Sequence, residues 1–164
     1  MTVALYPGSF DPLTLGHLDV LGRALEVFER VVVAVLANPA KTPRLAVATR
    51  VAVVEQAVRE AGLPAGRVAV VTFDGLTVQA AAAHGATAIV RGIRGVSDFE
   101  NELQLAQNNR RLAPAIDTVC FIAAPEHGFI SSSLVREIAT LGGDVSSLIP
   151  PAAATALREE LAGP

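Results

Sequence analysis

Five short stretches of this sequence combine residue types suited to holding phosphate groups. The most specific is Gly8-Ser9-Phe10-Asp11-Pro12 followed by Thr14-Leu15-Gly16-His17. Gly16-His17 falls where a loop becomes a helix. A glycine there lets a ligand approach the backbone closely. The helix start offers unpaired N–H groups and positive potential to an anion, and His17 adds a hydrogen-bond donor. A helix-start histidine is by itself an ordinary polar residue; the flanking Gly-Ser-Phe-Asp-Pro and Thr-Leu-Gly give it its functional reading. Asn38-Pro39-Ala40-Lys41 carries the only lysine among 13 basic residues. A compact ammonium where the chain otherwise uses arginine suits a point contact with a phosphate, although a solvated charge is the plain alternative. Asp74-Gly75-Leu76-Thr77 is a third stretch. In the fourth, Arg91-Gly92-Ile93-Arg94, two guanidinium forks match phosphate oxygens bidentately, with surface ion pairs to Asp98 or Glu102 as the competing reading. The fifth, His127-Gly128-Phe129-Ile130-Ser131-Ser132-Ser133, ends in hydroxyls at a helix start. One serine suffices for an N-cap, so three in a row suggest an anion cradle, with simple capping as the alternative.

These stretches need a scaffold that brings them to one place. Short β-branched runs at residues 3–5, 31–36, 68–71, 87–90 and 118–122 read as strands. His17, Val20, Leu21, Ala24, Leu25 and Phe28 follow the one-face spacing of a helix. Residues 47–61 and 76–84 read as further helices, each stopped by a glycine. Ser97-Asp98-Phe99-Glu100 has capping-box spacing and predicts a helix from there to about residue 112, ahead of Pro114. Residues 131–133 open a fifth helix that stops at Gly142-Gly143, and Pro150-Pro151 starts a short last one. Strand and helix in alternation predict an α/β chain. The expected form is a Rossmann-like, doubly wound, five-stranded parallel sheet with helices on both faces, one domain over residues 1–164. In such a sheet ligands bind beyond the carboxyl ends of the strands, and every candidate stretch follows a strand. The sequence has no G-x-G-x-x-G or G-x-x-x-x-G-K-[ST] loop, and no G-x-S-x-G elbow that would make a serine hydrolase of the serine run.

Composition narrows the partners. The chain has 164 residues, 51% of them apolar, with a mean hydropathy of +0.46; this is enough apolar surface to offset chain entropy, so disorder is not expected. Residues 31–37 form the most apolar stretch and are cut off by Asn38-Pro39, well short of the ~20 residues a bilayer span needs. No secretion signal is expected, because Pro7-Gly8 interrupts the first apolar run. A lone Cys120 excludes an intramolecular disulfide and a cysteine metal cluster. These features predict a cytoplasmic protein. A net charge of −3 disfavours nucleic acid as a partner. Charged residues make up 18%, below the roughly 25% of ordinary domains, which suggests surface covered by other subunits or simply an alanine-rich chain.

The first stretch, with its Thr14-x-Gly16-His17, resembles the signature of the nucleotidylyltransferases, whose TxGH motif is related to the HIGH motif of class I aminoacyl-tRNA synthetases. Asn38-Pro39-Ala40-Lys41, Arg91-Gly92-Ile93-Arg94, Asp98-Phe99-Glu100-x-Glu102-Leu103-Gln104-x-Ala106 and Phe129-Ile130-Ser131-Ser132-Ser133 narrow the resemblance to the phosphopantetheine adenylyltransferases. It runs from the first strand to Gly142-Gly143-Asp144-Val145. The resemblance implies reversible transfer of AMP from ATP to 4′-phosphopantetheine, giving dephospho-CoA and pyrophosphate with Mg²⁺ carried by the ATP phosphates, in a homohexamer. It implies that His17, Lys41 and Arg94 are catalytic. Ser9, Lys41, Thr77 and Arg91 would hold phosphopantetheine. Ser9, Phe10, His17, Gly92, Ile93, Arg94, Glu102, His127, Gly128, Phe129, Ile130, Ser131, Ser132 and Ser133 would hold ATP. The sequence departs from the common pattern at Ser9, usually threonine, and at Ala48-Thr49-Arg50, where a glutamate-rich stretch usually precedes the arginine. Asn101 and His127 stand where aromatics are common.

The implied step is in-line attack of the acceptor's phosphate oxygen on the α-phosphorus, without a covalent enzyme intermediate. Two other readings share the motifs: a nucleotidylyltransferase with another acceptor, and a non-catalytic ATP-binding regulator. The protonation state of His17 stays open at this level, since the helix dipole favours the neutral ring and a bound phosphate favours the cation.

Overall fold

In a computed structural model, residues 2–37 and 43–163 are described. The strands are β1 (Val3–Gly8), β2 (Arg30–Leu36), β3 (Val68–Phe73), β4 (Ala88–Ile93) and β5 (Asp117–Ile122). The helices are α1 (Leu15–Val27), α2 (Val47–Glu60), α3 (Thr77–Ala83), α4 (Val96–Leu112), α5 (Ser132–Thr140) and α6 (Pro151–Ala162). All five strands are parallel, in the order β3-β2-β1-β4-β5. The continuous apolar runs of β1 and β2 follow from this, because central parallel strands are buried on both faces. Ala4, Tyr6, Val31, Val33 and Val35 point into one core with the apolar sides of α1 and α2. Their neighbours Val3, Leu5, Val32 and Ala34 point into the other, against α3. The doubly wound parallel sheet expected from the sequence is therefore present, with helices on both faces.

The strand order reverses between β1 and β4, and the loops after these two strands diverge to leave a crevice. β3 lies at the sheet edge, two strand positions or about 10 Å from β1. One helix start differs from expectation. α4 begins at Val96 with Gly95 as its N-cap and no side-chain cap, so Ser97 and Glu100 form no capping box. Asp98 explains the shift: in the first turn it accepts hydrogen bonds from the Arg94 backbone N–H at 3.1 Å and the Arg94 Nε at 2.8 Å. Arg110, near the end of α4, forms an exposed ion pair with Asp117 at 2.9 Å. Among the described residues, no helix is long and apolar enough to cross a membrane.

Candidate active site at the sheet switch point

The loop after β1 is built around a displaced phenylalanine. Phe10 has a positive φ of 47°, which for a side-chain-bearing residue costs on the order of 1 kcal/mol. The turn sends its ring back under the loop, where it is buried edge-on against Tyr6 (centroids 5.4 Å apart) and His17 (5.2 Å). A Cβ on Gly8 would come within 2.9 Å of that ring, so position 8 must be glycine. The Gly-Ser-Phe sequence is thus one packing unit whose outer surface is Ser9 and whose ring supports the imidazole.

Thr14-x-Gly16-His17 is itself a helix cap. Thr14 is the N-cap of α1, and its Oγ1 accepts from the His17 N–H at 3.3 Å. In return, His17 Nδ1 accepts from the Thr14 N–H at 3.0 Å. This is a capping box in which histidine takes the place normally held by glutamate or glutamine. Because Nδ1 accepts, the ring proton of the neutral imidazole resides on Nε2. Burial, then Arg94 and Arg91, lower the His17 pKa from 6.5 to about 4. The question left open by the sequence has a physical answer: the free protein holds a neutral imidazole with an Nε2–H donor. Gly16 answers to no tight packing within the chain, since a Cβ there would meet its neighbours at 3.6 Å or more.

Arg91 and Arg94 come from the end of β4 and just beyond it. Arg91 donates from Nε and Nη2 to the two carboxylate oxygens of Glu102 at 2.7 and 2.6 Å, and from Nη1 to the Pro7 carbonyl at 2.9 Å. Glu102 is the one buried residue of α4 among those described. Arg94 makes the second ion pair, with Asp98, and also donates to the Ile130 carbonyl at 2.9 Å. Partial burial works against it, but hydrogen bonds from the Arg94 side chain and backbone hold the Asp98 carboxyl below its usual range. The ion pairs weighed as an alternative to phosphate binding therefore both form, and both guanidiniums still line the crevice. A guanidinium has five N–H donors, so pairing does not exhaust either one.

The serine run has divided its work. Ser131 caps α5, accepting from the Leu134 N–H at 3.1 Å. Ser132 donates to the Pro12 carbonyl at 2.8 Å, tying α5 to the first loop. Ser133 Oγ accepts from Arg136 at 3.4 Å. The first-turn N–H groups, which no helix can satisfy internally, open on the same space. Arg136 also donates to the Asp11 carbonyl and lies 3.6 Å from its carboxylate. Gly92 lets α1 pack closely on β4, since a Cβ there would sit 3.1 Å from Val20.

The result is a crevice of about 530 Å³, within the usual range for small-molecule sites. Of the residues singled out in the sequence, Ser9, Phe10, His17, Arg91, Gly92, Arg94, Glu102, His127, Ile130, Ser131, Ser132 and Ser133 line it. Thr77, Ile93, Gly128 and Phe129 do not. Thr77 opens α3 after the edge strand β3, and the strand order places that loop away from the switch point. Ile93 is buried in the core, and Phe129 is 64% exposed. Asn38, Pro39, Ala40 and Lys41 fall outside the described residues. The sequence analysis missed Tyr6, Arg136 and Pro43, which also line the crevice. Arg136 had a signal, since it stands one helical turn beyond Ser132 and so on the same face. His127 Nδ1 is buried with no hydrogen-bond partner among the described residues. No group of three or more His, Cys, Asp or Glu placed to hold a metal occurs among the described residues.

Residues 5–138 match the cytidylyltransferase-like family model. A phosphopantetheine adenylyltransferase of Gloeobacter violaceus is 51% identical over 161 residues, covering 98% of this chain and 98% of the relative. One from Allorhizobium ampelinum is 49% identical over 162 residues, covering 98% and 99% respectively. Among solved structures, a putative nicotinate-nucleotide adenylyltransferase from Vibrio parahaemolyticus superposes with a TM-score of 0.70 at 18% identity, covering 98% of this chain and 95% of that one. At that identity the likeness speaks for the fold alone.

Proposed function

The chain belongs to the cytidylyltransferase-like family and, within it, to the phosphopantetheine adenylyltransferases, and from that membership we propose how its crevice transfers AMP from ATP to 4′-phosphopantetheine. An oxygen of the acceptor's terminal phosphate attacks the α-phosphorus in line. The new P–O bond forms as the bond to the bridging oxygen of the β-phosphate breaks, giving dephospho-CoA and pyrophosphate. The nucleophile is already an anion, so the step needs no general base. Catalysis is positioning and charge stabilisation, and the reverse reaction uses the same contacts.

The observation that carries this reading is the single tautomer of His17. Its Nε2–H is a neutral donor on the crevice floor, held by Thr14 behind and Phe10 beneath. We assign it to a non-bridging α-phosphate oxygen, where charge accumulates in the transition state. Arg94 and the start of α5 take the departing pyrophosphate. Arg91, with Ser9 and Lys41, takes the acceptor's phosphate. Glu102 acts through Arg91, holding its guanidinium flat by the bidentate pair. His127, with its unpartnered Nδ1, faces the nucleotide.

The donor set also bears on Mg²⁺. Asp98 and Glu102 are bonded to arginines, and Asp11 accepts from two backbone N–H groups. These carboxylates are engaged within the chain, so Mg²⁺ would be carried by the ATP phosphates, where it would neutralise part of their charge. α4 leaves Val96, Phe99, Leu103, Leu105 and Leu112 about half or more exposed, on the two flanks of the buried Glu102. Exposed apolar side chains of that size support assembly with further copies of the chain, which we propose is a homohexamer in the cytoplasm.

Incubation with ATP, Mg²⁺ and 4′-phosphopantetheine should release pyrophosphate and form dephospho-CoA. Release with a nicotinate mononucleotide acceptor instead would reassign the acceptor, and ATP binding without pyrophosphate exchange would make the protein a regulator.

A further inference from the structure

Arg50 is the arginine that the usual glutamate-rich stretch would precede, and the catalytic reading does not use it. It is 2% exposed, in the first turn of α2. Its hydrogen bonds go to backbone carbonyls on three segments. Nε donates to Leu45 at 3.0 Å, and Nη1 donates to Ser9 at 2.7 Å and to Leu36 at 2.9 Å. Asp11 makes the reciprocal contacts from the first loop: its carboxylate oxygens accept from the Arg44 and Leu45 N–H groups at 2.8 Å each. Leu45 is thus held by its N–H from the first loop and by its carbonyl from α2. The chain of contacts closes on itself, from Ser9 through Asp11 to Leu45 and through Arg50 back to Ser9.

The carbonyl Arg50 holds is the one just before the strained residue. The Ser9–Phe10 peptide leads into the positive φ of Phe10, so its orientation sets the direction in which Ser9 faces the crevice. Burying a guanidinium is costly even with the Asp11 carboxylate nearby, and an apolar side chain would serve a purely structural purpose at lower cost. Ser9 and Pro43, on the two segments the brace joins, both line the crevice.

We propose that Arg50 is a positioning residue for the acceptor half of the site, fixing Ser9 and the segment entering α2 in one relative placement. The proposal rests on the assignment of Ser9 to the acceptor's phosphate. The loops after β4 and β5, which face the nucleotide, contain no carbonyl bonded by Arg50.

The experiment compares wild type, Arg50→Lys and Arg50→Met by steady-state kinetics with each substrate varied separately, alongside thermal unfolding. Wild type is the control for the functional reading: no dephospho-CoA from it would sink that reading and leave the brace unaddressed as cause. With wild type active, Arg50→Lys should raise KM for phosphopantetheine about tenfold, the worth of roughly one hydrogen bond, and Arg50→Met should raise it further, while KM for ATP stays within about twofold. Equal rises in both KM values, or activity lost only in proportion to lost folded protein, would overturn the proposal. So would failure of both variants to fold, which would mark Arg50 as a folding element only. If only Arg50→Met fails to fold, the Lys variant decides.

Discussion

Helices α2 and α4 each deliver one buried charged residue to the crevice region, Arg50 and Glu102, yet they are anchored in opposite ways. α2 buries Val53, Val54, Ala57 and Val58 beside Arg50, a continuous apolar stripe against the sheet. α4 buries Glu102 alone and leaves Val96, Phe99, Leu103, Leu105 and Leu112 about half or more exposed on either side of it. The first helix is held by its own core. The second is held at the site by an ion pair, while its apolar side chains are only partly covered within the chain. The contrast teaches that a site group can be secured by an apolar stripe on its own helix or by a charge pair on a helix that the core holds only loosely.

The largest test of that contrast is a matched pair of substitutions. Val54→Asp places an unpaired charge in the core and should cost more than about 4 kcal/mol, leaving little folded protein. Leu105→Asp should change the stability of the isolated chain by no more than about 0.5 kcal/mol and instead lower the assembly size. Chemical denaturation and analytical ultracentrifugation read the two effects. A Leu105→Asp chain that unfolds like Val54→Asp would erase the distinction.

Next in size is the imidazole at the start of α1. Replacing His17 by alanine should reduce kcat about a hundredfold, roughly 3 kcal/mol at the barrier, as for loss of one preorganised donor. ATP affinity measured by calorimetry should be nearly unchanged. Near-normal turnover would remove His17 from the transition state.

The same imidazole makes a pH prediction. Its folded pKa is depressed from 6.5 to about 4, chiefly by burial, so the folded state binds fewer protons than the unfolded one between these values. The contribution is full above about pH 6.5, is lost as the pH falls toward 4, and stops changing below that. It amounts to the order of 3 kcal/mol across the window. Acid denaturation of wild type against His17→Ala should show it, and an NMR titration should place the ring's midpoint near 4. A midpoint above 6 in the folded chain would contradict the tautomer argument.

The smallest effect is on the charge pair itself. Glu102→Gln keeps the shape but leaves Arg91 uncompensated. The Arg91 side chain is 29% exposed, so water screens part of the loss and the cost should be about 1–2 kcal/mol. The kinetic change should be a raised KM for phosphopantetheine. No change in either quantity would mean that the pair does not secure α4.

Much of this molecule was legible from local order. Strands and helices repeat at periods of about 2 and 3.6 residues, so each announces itself over a few positions, and all the predicted strands and helices form. The Thr14-x-Gly16-His17 motif was equally visible, because a cap is completed within one turn. Where reading failed, the competing partner was also close: Asp98 moved the start of α4 by bonding Arg94, and no apolar period records that.

Residue types and their spacing were enough to determine the alternation of strand and helix and the helix start at which the imidazole sits, and the resemblance of the motifs supplied the family. Tertiary structure alone decided the order of the strands, and with it the exclusion of Thr77 from the crevice. It also decided the grip of Arg50 on Ser9 across 41 positions and of Arg91 on Pro7 across 84. The physical reason is range: propensity and capping are satisfied among neighbours, whereas strand order and cross-chain hydrogen bonds exist only after two apolar layers have closed on the sheet.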